Sequence, residues 1–466
     1  MEEGSKAMVG LAYPREPQPT QPISTQWRTI ESPLPHPDSV ALLKRLDHAE
    51  AKSMQGQPPI VWNRAHRFTV EDPYGNHWID FSSGVLVANA GHGRSRIAEA
   101  MKDEIDRGLH HTYCFPHRAR ADLCDKLLSL APDYLNKVFL LTTGSETTEC
   151  AIKLARTHGV RKEGDRKKKI VTFHNAFHGR TLGAQLAGGI PALKAWIHQD
   201  DPTFVQVPFP DGYANEDTSF DFFLKSLEDL RVGPDEIAGV MLETYQGATA
   251  SFAPVEYMRA LRSWCDEHSI VLVLDEVQAA FGRCGRWWGF EHYGIEPDII
   301  CCGKGITSGM PLSAVIGRQA LMDQYNPGEM TSTHSGNPVC CRAARANIEI
   351  IESEGLIANA DKLGSLLAER MEELRKESTV IGACHGKGLV CGVRFVRPGT
   401  KEPDGELAHR VTRRMYESGV LTFGPVGPGG GTVKINPPLC ITREVLEEGL
   451  GVFREIVLRE GRSPSP

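Results

Sequence analysis

An aspartate stands directly behind the apolar run IVLVL (270–274), and a lysine stands between two glycines after PDIICC (297–302). An ionised carboxylate at the end of a buried strand is costly unless it meets a cation or a hydrogen-bond donor. Asp275 by itself would read as a helix cap or a surface acid, but Gln278 and Lys304 accompany it. Gly303 and Gly305 let the backbone turn sharply at Lys304 and leave its side chain uncrowded. A lysine confined in this way loses basicity and becomes a nucleophile toward aldehydes. A further segment, TTGSETTE (142–149), has Thr143 and Glu146 at the spacing of a capping box. It reads as an ordinary capped helix start or, with the N–H groups of Gly144 and Ser145 at the positive helix end, as a phosphate site. A phosphate cup, a lysine and an acid suited to a ring nitrogen together describe the binding of pyridoxal 5'-phosphate.

These groups must be positioned by alternating strands and helices. From about residue 137 the pattern predicts a strand at 137–143, a helix from Ser145 to about His158 and a strand at 169–175. Further strands are expected at 237–244, 270–277, 297–304 and 311–318, with a helix across 255–268. Continuous apolar runs separated by helices are what a parallel sheet covered on both faces requires. Helices follow at 338–353 and 358–377, then a mixed segment with HGKGLVCGVRF (385–395) and GTVKINPPL (431–439). The expected fold class is α/β: a large domain at 85–340 with a mostly parallel sheet flanked by helices, and a smaller α+β domain. The smaller domain takes 341–466 and a contribution from 38–84, where a helix over 38–54 would place Val40, Leu42, Leu43 and Leu46 on one side. Residues 1–37, rich in Pro, Gln, Ser and Thr, read as an irregular arm.

The 466 residues carry 52 basic and 59 acidic side chains, a formal charge of −7. That balance gives no field to draw in nucleic acid. No apolar run approaches the roughly 20 residues that cross a bilayer, and the start of the chain has neither a basic n-region with an apolar h-region nor an Arg-rich amphipathic helix. The 12 cysteines form no CxxC pair and several lie in apolar stretches, so free buried thiols and a cytoplasmic location are expected.

The chain resembles the class III, or omega-type, aminotransferases, pyridoxal-phosphate enzymes of fold type I. The resemblance runs from about residue 40 to about residue 450. It is carried by DPYGNHWIDFSSG (72–84), NAGH (89–92), TTGSETTECAIKLAR (142–156), AFHGRTLGA (176–184) and ETYQG (243–247). It is densest over 274–318, from LDEVQAAFGRCGRWWGF to CCGKGITSGMPLSAVIGR, and continues in STHSGNP (332–338) and KINPPL (434–439).

The resemblance implies a role for each matching residue. Lys304 would bind the cofactor's aldehyde carbon and shuttle a proton, and Asp275 would pair with the ring nitrogen. Gln278 would face the phenolic oxygen, Phe177 would stack on the ring where many relatives carry Tyr, and His178 of the same motif joins the cofactor contacts. Gly144 and Ser145 would hold the phosphate, and Thr333 would reach the phosphate of a second subunit, which implies a homodimer with sites at its interface. Glu243 matches a gating glutamate of the family. Lys434 stands where relatives that bind an α-carboxylate usually carry Arg, and a point charge replaces a planar fork there. It would bind a carboxylate or form a structural ion pair.

The activity so implied is ping-pong transamination from an amine or ω-amino acid (4-aminobutyrate, ornithine-like or diamine donors) to a 2-oxo acid. A racemase or epimerase and a decarboxylating aminotransferase use the same scaffold, and a non-catalytic binding protein of this fold is a more distant alternative. No metal site is expected: His174 and His178 have i,i+4 spacing but fall in a strand-to-loop segment. RKEGDRKKK (161–169) reads as a solvated loop, HGKGLVCG and GPVGPGGG (424–431) as loops packing near the site, and Trp287 and Trp288 as core or as a border of the substrate path.

Overall fold

Seven runs rich in Val, Ile, Leu and Phe form one sheet: β1 (Lys137–Leu141), β2 (Lys169–Phe173), β3 (Phe204–Val207), β4 (Ile237–Glu243), β5 (Val271–Asp275), β6 (Ile299–Cys302) and β7 (Ser313–Gly317). Their order is β1-β7-β6-β5-β4-β2-β3. Neighbours from β6 to β3 are parallel, whereas β7 runs antiparallel between β6 and β1. Every residue of β4, β5, β6 and β7 is buried. A strand covered on both faces has no reason to alternate polar and apolar residues, so its sequence is a continuous apolar run.

The computed structural model describes residues 13–199 and 201–462. The chain divides into two compact units, one of Ser95–Ala358 and one formed by the segments before and after it. The first unit holds the seven-stranded sheet and the longer helices α1 (Ser95–Asp106), α2 (Arg118–Leu130), α3 (Gly144–Glu163), α4 (Phe220–Asp229), α5 (Val255–Glu267) and α6 (Pro338–Ser353). Because α6 packs on α1 and α2, the unit continues beyond residue 340.

Helix α3 begins with the expected capping box, in which Thr143 accepts the Glu146 N–H and the Glu146 carboxylate accepts the Thr143 N–H. It buries Thr147, Cys150, Ala151, Leu154 and Ala155 against the sheet core and ends at Gly164, whose φ of +86° suits glycine. The helix therefore absorbs the start of RKEGDRKKK. Nor is that segment all solvated: Lys167 is 1% exposed, with Nζ 2.8 Å from Glu163 Oε1 and donating to His268 O at 2.6 Å.

In the other unit, residues 1–12 of the expected arm lie outside the described residues. From Tyr13 to His36 the arm is mostly without regular structure and carries two two-residue strands. Ile23–Ser24 and Thr29–Ile30 pair with each other, and the latter joins His77–Asp80. That sheet buries Ile30, Leu34, Val70, Trp78, Tyr416 and Leu421 around Tyr13, and the Trp78 indole donates to Tyr416 O at 2.9 Å. The helix expected over 38–54 covers only Val40–Ala49, and of its four apolar residues Leu43 alone is buried; Leu42 and Leu46 are exposed. HGKGLVCG is part of a β-hairpin, Ile381–Gly386 with Cys391–Phe395, and a third strand, Thr432–Ile435, pairs with Cys391–Phe395.

Candidate active site

Ligands of open α/β sheets bind beyond the carboxyl ends of the strands, and Asp275 and Glu243 stand at two of those ends. Asp275 is the last residue of β5, in register with Glu243, the last of β4, and with Cys301 of β6. Lys304 follows β6 beyond Gly303 with φ +40°, a left-handed conformation that costs a residue with a Cβ roughly 1–2 kcal/mol. A Cβ on Gly303 would lie 3.6 Å from Val277 Cγ1 and 3.8 Å from Gly144 Cα. The turn carrying the lysine, the segment after Asp275 and the start of α3 thus meet at one point.

Each acid at this edge is held. Asp275 Oδ2 lies 2.9 Å from His178 Nδ1, and Oδ1 accepts the Val277 N–H at 3.0 Å. Glu243 takes the Phe177 N–H on Oε2 at 3.0 Å and the Gly247 N–H on Oε1 at 2.9 Å. Burial pushes the Glu243 carboxyl up to about 7; His178 and the two N–H donors oppose this, and Asp275 adds to it. Burial also pulls on His178, but its hydrogen bond to Asp275 and the charges of Asp275 and Glu243 prevail and raise it. Lys304, partly buried, is lowered by desolvation against the pull of the same two carboxylates. A lysine so lowered reaches its neutral, nucleophilic form more readily.

Gln278 is partly buried, with the Tyr245 hydroxyl donating to its backbone O at 3.4 Å. Phe177 is partly buried and carries the Arg180 guanidinium 5.6 Å from its ring centre. Gly144 and Ser145 open α3; the Ser145 hydroxyl accepts the Arg180 N–H at 3.2 Å. Lys304, Asp275, Gln278, Glu243, His178, Phe177, Gly144 and Ser145 therefore all belong to the one unit. Thr333 lies in the same unit on an exposed turn. Lys434 belongs to the other unit, buried in the strand Thr432–Ile435 with Nζ 5.9 Å from the Phe423 ring centre. His174, the other half of the i,i+4 pair, is exposed. Trp288 is core, its indole donating to Leu130 O at 2.8 Å.

Glu276 was not foreseen from the sequence. It is fully buried and accepts from the Thr244 hydroxyl and from the N–H groups of Gly289 and Phe290, both at 2.8 Å. Burial drives its carboxyl up to about 7 against those donors. The adjacent acids of the DE pair in LDEVQ were the available signal: alternation at the strand end turns the second away from the first.

Residues 51–457 match the family model described as aminotransferase class-III. A 4-aminobutyrate aminotransferase of Mycobacterium leprae is 32% identical over 445 residues, covering 93% of this chain and 98% of that protein. The chain belongs to the class III aminotransferases. An alanine/serine racemase of Pyrococcus horikoshii is 33% identical over 415 residues, 86% of each chain. The solved amine transaminase of an uncultivated Pseudomonas species, in its PLP-bound form, matches with a TM-score of 0.81 at 27% identity, over 89% of this chain and 97% of its own. Family and fold make this chain a transaminase of fold type I and imply pyridoxal phosphate as its cofactor.

The residues present fit that group. His178 Nε2 is buried without a hydrogen-bond partner at the acid cluster. At the start of α3 a Cβ on Gly144 would lie 2.8 Å from Val277 Cγ1, and one on Gly179 would collide with the Ser145 side chain. Only glycine permits this close approach of backbone, which leaves the first N–H groups of α3 to an anion.

Proposed function

We propose that the enzyme is a cytoplasmic homodimer that transfers an amino group from an amine or ω-amino acid to a 2-oxo acid in two successive half-reactions. Candidate donors are 4-aminobutyrate, ornithine-like compounds and diamines; the 4-aminobutyrate of the Mycobacterium leprae relative supports this class. The reading is carried by one observation: Lys304, lowered in basicity, stands within electrostatic reach of Asp275 and Glu243 at the ends of β5 and β4.

When bound, pyridoxal phosphate supplies a ring that takes up the electrons left as the donor carbon loses its proton. The chain's own residues do the rest. Lys304 would hold the cofactor, and its Nζ would take the proton from the donor carbon and pass it to the cofactor rather than back to that carbon. Asp275 holds the ring nitrogen, with His178 and the Val277 N–H fixing the direction of its carboxylate. Gln278 holds the phenolic oxygen, Phe177 covers the ring face, and Gly144 and Ser145 hold the phosphate. Glu243 would face the donor, and Lys434 would either serve a substrate carboxylate as a point charge or form a structural ion pair.

Thr333 reaches the phosphate bound by a second copy of the chain. Its exposure supports this, as do the exposed Leu109, Tyr113 and Phe115 of the same unit, with the Tyr113 hydroxyl donating to Thr331 Oγ1 at 3.1 Å. All twelve thiols are free and most are buried, which suits a reducing compartment. Among the described residues no helix is long and apolar enough to cross a membrane.

Initial rates with 4-aminobutyrate and a 2-oxo acid varied together test the reading. Parallel double-reciprocal lines are expected, and intersecting lines would overturn the two half-reactions. The kinship with the Pyrococcus horikoshii racemase supports a second reading, α-proton exchange on one amino acid. Deuterium entering the α-carbon of alanine or serine from heavy water, with no 2-oxo acid consumed, would favour it.

A further inference from the structure

Asn347 lies within α6, where its neighbours Ala343, Ala344, Ala346, Ile348 and Ile351 are buried and apolar. It is itself fully buried, and a carboxamide in such surroundings is costly unless its donors and acceptor are all engaged. They are, and all on one short stretch of chain. Nδ2 donates to two successive carbonyls, Gly305 O at 2.9 Å and Ile306 O at 3.0 Å, and Oδ1 accepts from Ser308 Oγ at 2.5 Å.

That stretch begins at Lys304. Both Lys304 (φ +40°) and Ser308 (φ +56°) are left-handed without being glycine. Within the turn, Thr307 Oγ1 donates to Met310 O at 2.6 Å and accepts the Gly309 N–H at 3.2 Å. Ile306 N–H closes back onto Gly303 O at 3.1 Å. Backbone of this kind persists only where its surroundings over-determine it, and α6 supplies the brace from outside the turn.

We infer that Asn347 is a positioning residue for Lys304: from α6 it fixes the backbone of 305–308 and so sets the direction in which the lysine side chain leaves the turn after β6. The inference rests on the proposed role of Lys304 as the cofactor-bearing lysine. Asn347 touches no reacting atom; it acts through the main chain that carries one. A displacement of about 1 Å at a reacting group is enough to cost about a hundredfold in rate, so a loosened turn is read out chemically before it is read out as unfolding.

The test uses apoprotein of the wild type and of Asn347→Ala, Asn347→Asp and Ser308→Ala, each checked for folding by circular dichroism and thermal melting. Pyridoxal phosphate is added, its attachment is followed by visible absorbance, and borohydride reduction with peptide mass analysis locates it. The Asn347 variants should attach the cofactor to Lys304 about tenfold more slowly or worse. Their visible band should titrate with a midpoint moved by about half a pH unit or more. Asn347→Asp, similar in shape but with at most one donor for the two carbonyls, should be slowed in the same direction as Asn347→Ala, and Ser308→Ala should fall between Asn347→Ala and the wild type. Attachment rates and midpoints equal to wild type in every folded variant, whatever the melting temperature, would overturn the inference. Should the Asn347 variants not fold, Ser308→Ala decides in the same two measurements. Attachment to another lysine in the wild type would instead overturn the reading of Lys304, and this inference with it.

Discussion

Asp275 Oδ2 and His178 Nδ1 lie 2.9 Å apart, and neither side chain is appreciably exposed. The bond joins the end of β5 to the loop after β2, two segments far apart in sequence. Its electrostatics are cooperative: Asp275 raises His178 against the effect of burial, and the imidazole gives a buried carboxylate the partner it needs.

Breaking this pair from the histidine side leaves that carboxylate without its cation. His178→Leu should destabilise the apoprotein by about 3 kcal/mol or more, and His178→Gln, which can still donate, should recover part of the loss. Urea unfolding of the three proteins measures both. A leucine variant as stable as the wild type would remove the pairing from the account of the site.

Glu243 gives a pH dependence. Its carboxyl rises from 4.5 to about 7 on folding, with burial the main cause. A group whose folded value lies above its unfolded value binds its proton more tightly in the folded state. Its stabilising contribution is therefore complete below 4.5 and is lost as the pH rises through 7. Glu276 and His178 are raised and share the sign. Between about pH 5 and about pH 8 these three groups should cost the apoprotein stability, against the opposite contribution of His117, His158, His174 and His409, which are lowered, and Glu243→Gln should remove on the order of 3 kcal/mol of that loss from the slope. Denaturant titrations at both pH values decide it, an unchanged slope in the variant being the contrary result.

The sequence made the sheet legible because its central strands are buried on both faces, and such strands announce themselves as unbroken apolar runs. Asp275, Gln278 and Lys304 were legible for a related reason: a charge or amide at the end of such a run stands out. The antiparallel β7 was not, since PLSAVIGR has the same apolar pattern in either direction. The sheet formed by 23–30 was hidden by the prolines and polar residues around two-residue strands, which pair through backbone and show no period. His178 pairs with Asp275 only because the loop after β2 reaches the end of β5, which its local spacing to His174 does not show. Val277 and Asn347 act through contacts with the backbone that no pattern of side chains encodes.

The start of α3 makes a steric prediction. The Cβ of Gly144→Ala would sit 2.8 Å from Val277 Cγ1, and overpacking of this kind costs about 1–3 kcal/mol. The variant should release pyridoxal phosphate on dialysis faster than the wild type. Gly144→Ala with Val277→Ala, which vacates the colliding methyl groups, should hold it again. Retention unchanged by Gly144→Ala would mean that this approach of backbone does not serve the phosphate.

Lys434 separates two substrate classes. If it serves a carboxylate, Lys434→Ala should raise KM for 4-aminobutyrate by about tenfold, the worth of one charged hydrogen bond, with little change for a plain amine of similar length. Parallel steady-state measurements on the two donors make the comparison, and an equal rise for both would leave the residue a structural ion-pair partner.

The central claim is that Lys304 carries the cofactor and that an amino group is left on it by the donor. The most direct measurement is the visible spectrum of the cofactor-loaded enzyme mixed with 4-aminobutyrate or a diamine and no 2-oxo acid, with Lys304→Ala as control. The wild type should lose its visible band, yield pyridoxamine phosphate on extraction and regain the band when a 2-oxo acid is added, while Lys304→Ala should show neither the band nor the exchange. A band that persists in the wild type with every amine and amino acid tried, or a Lys304→Ala variant that turns over normally, would contradict the claim.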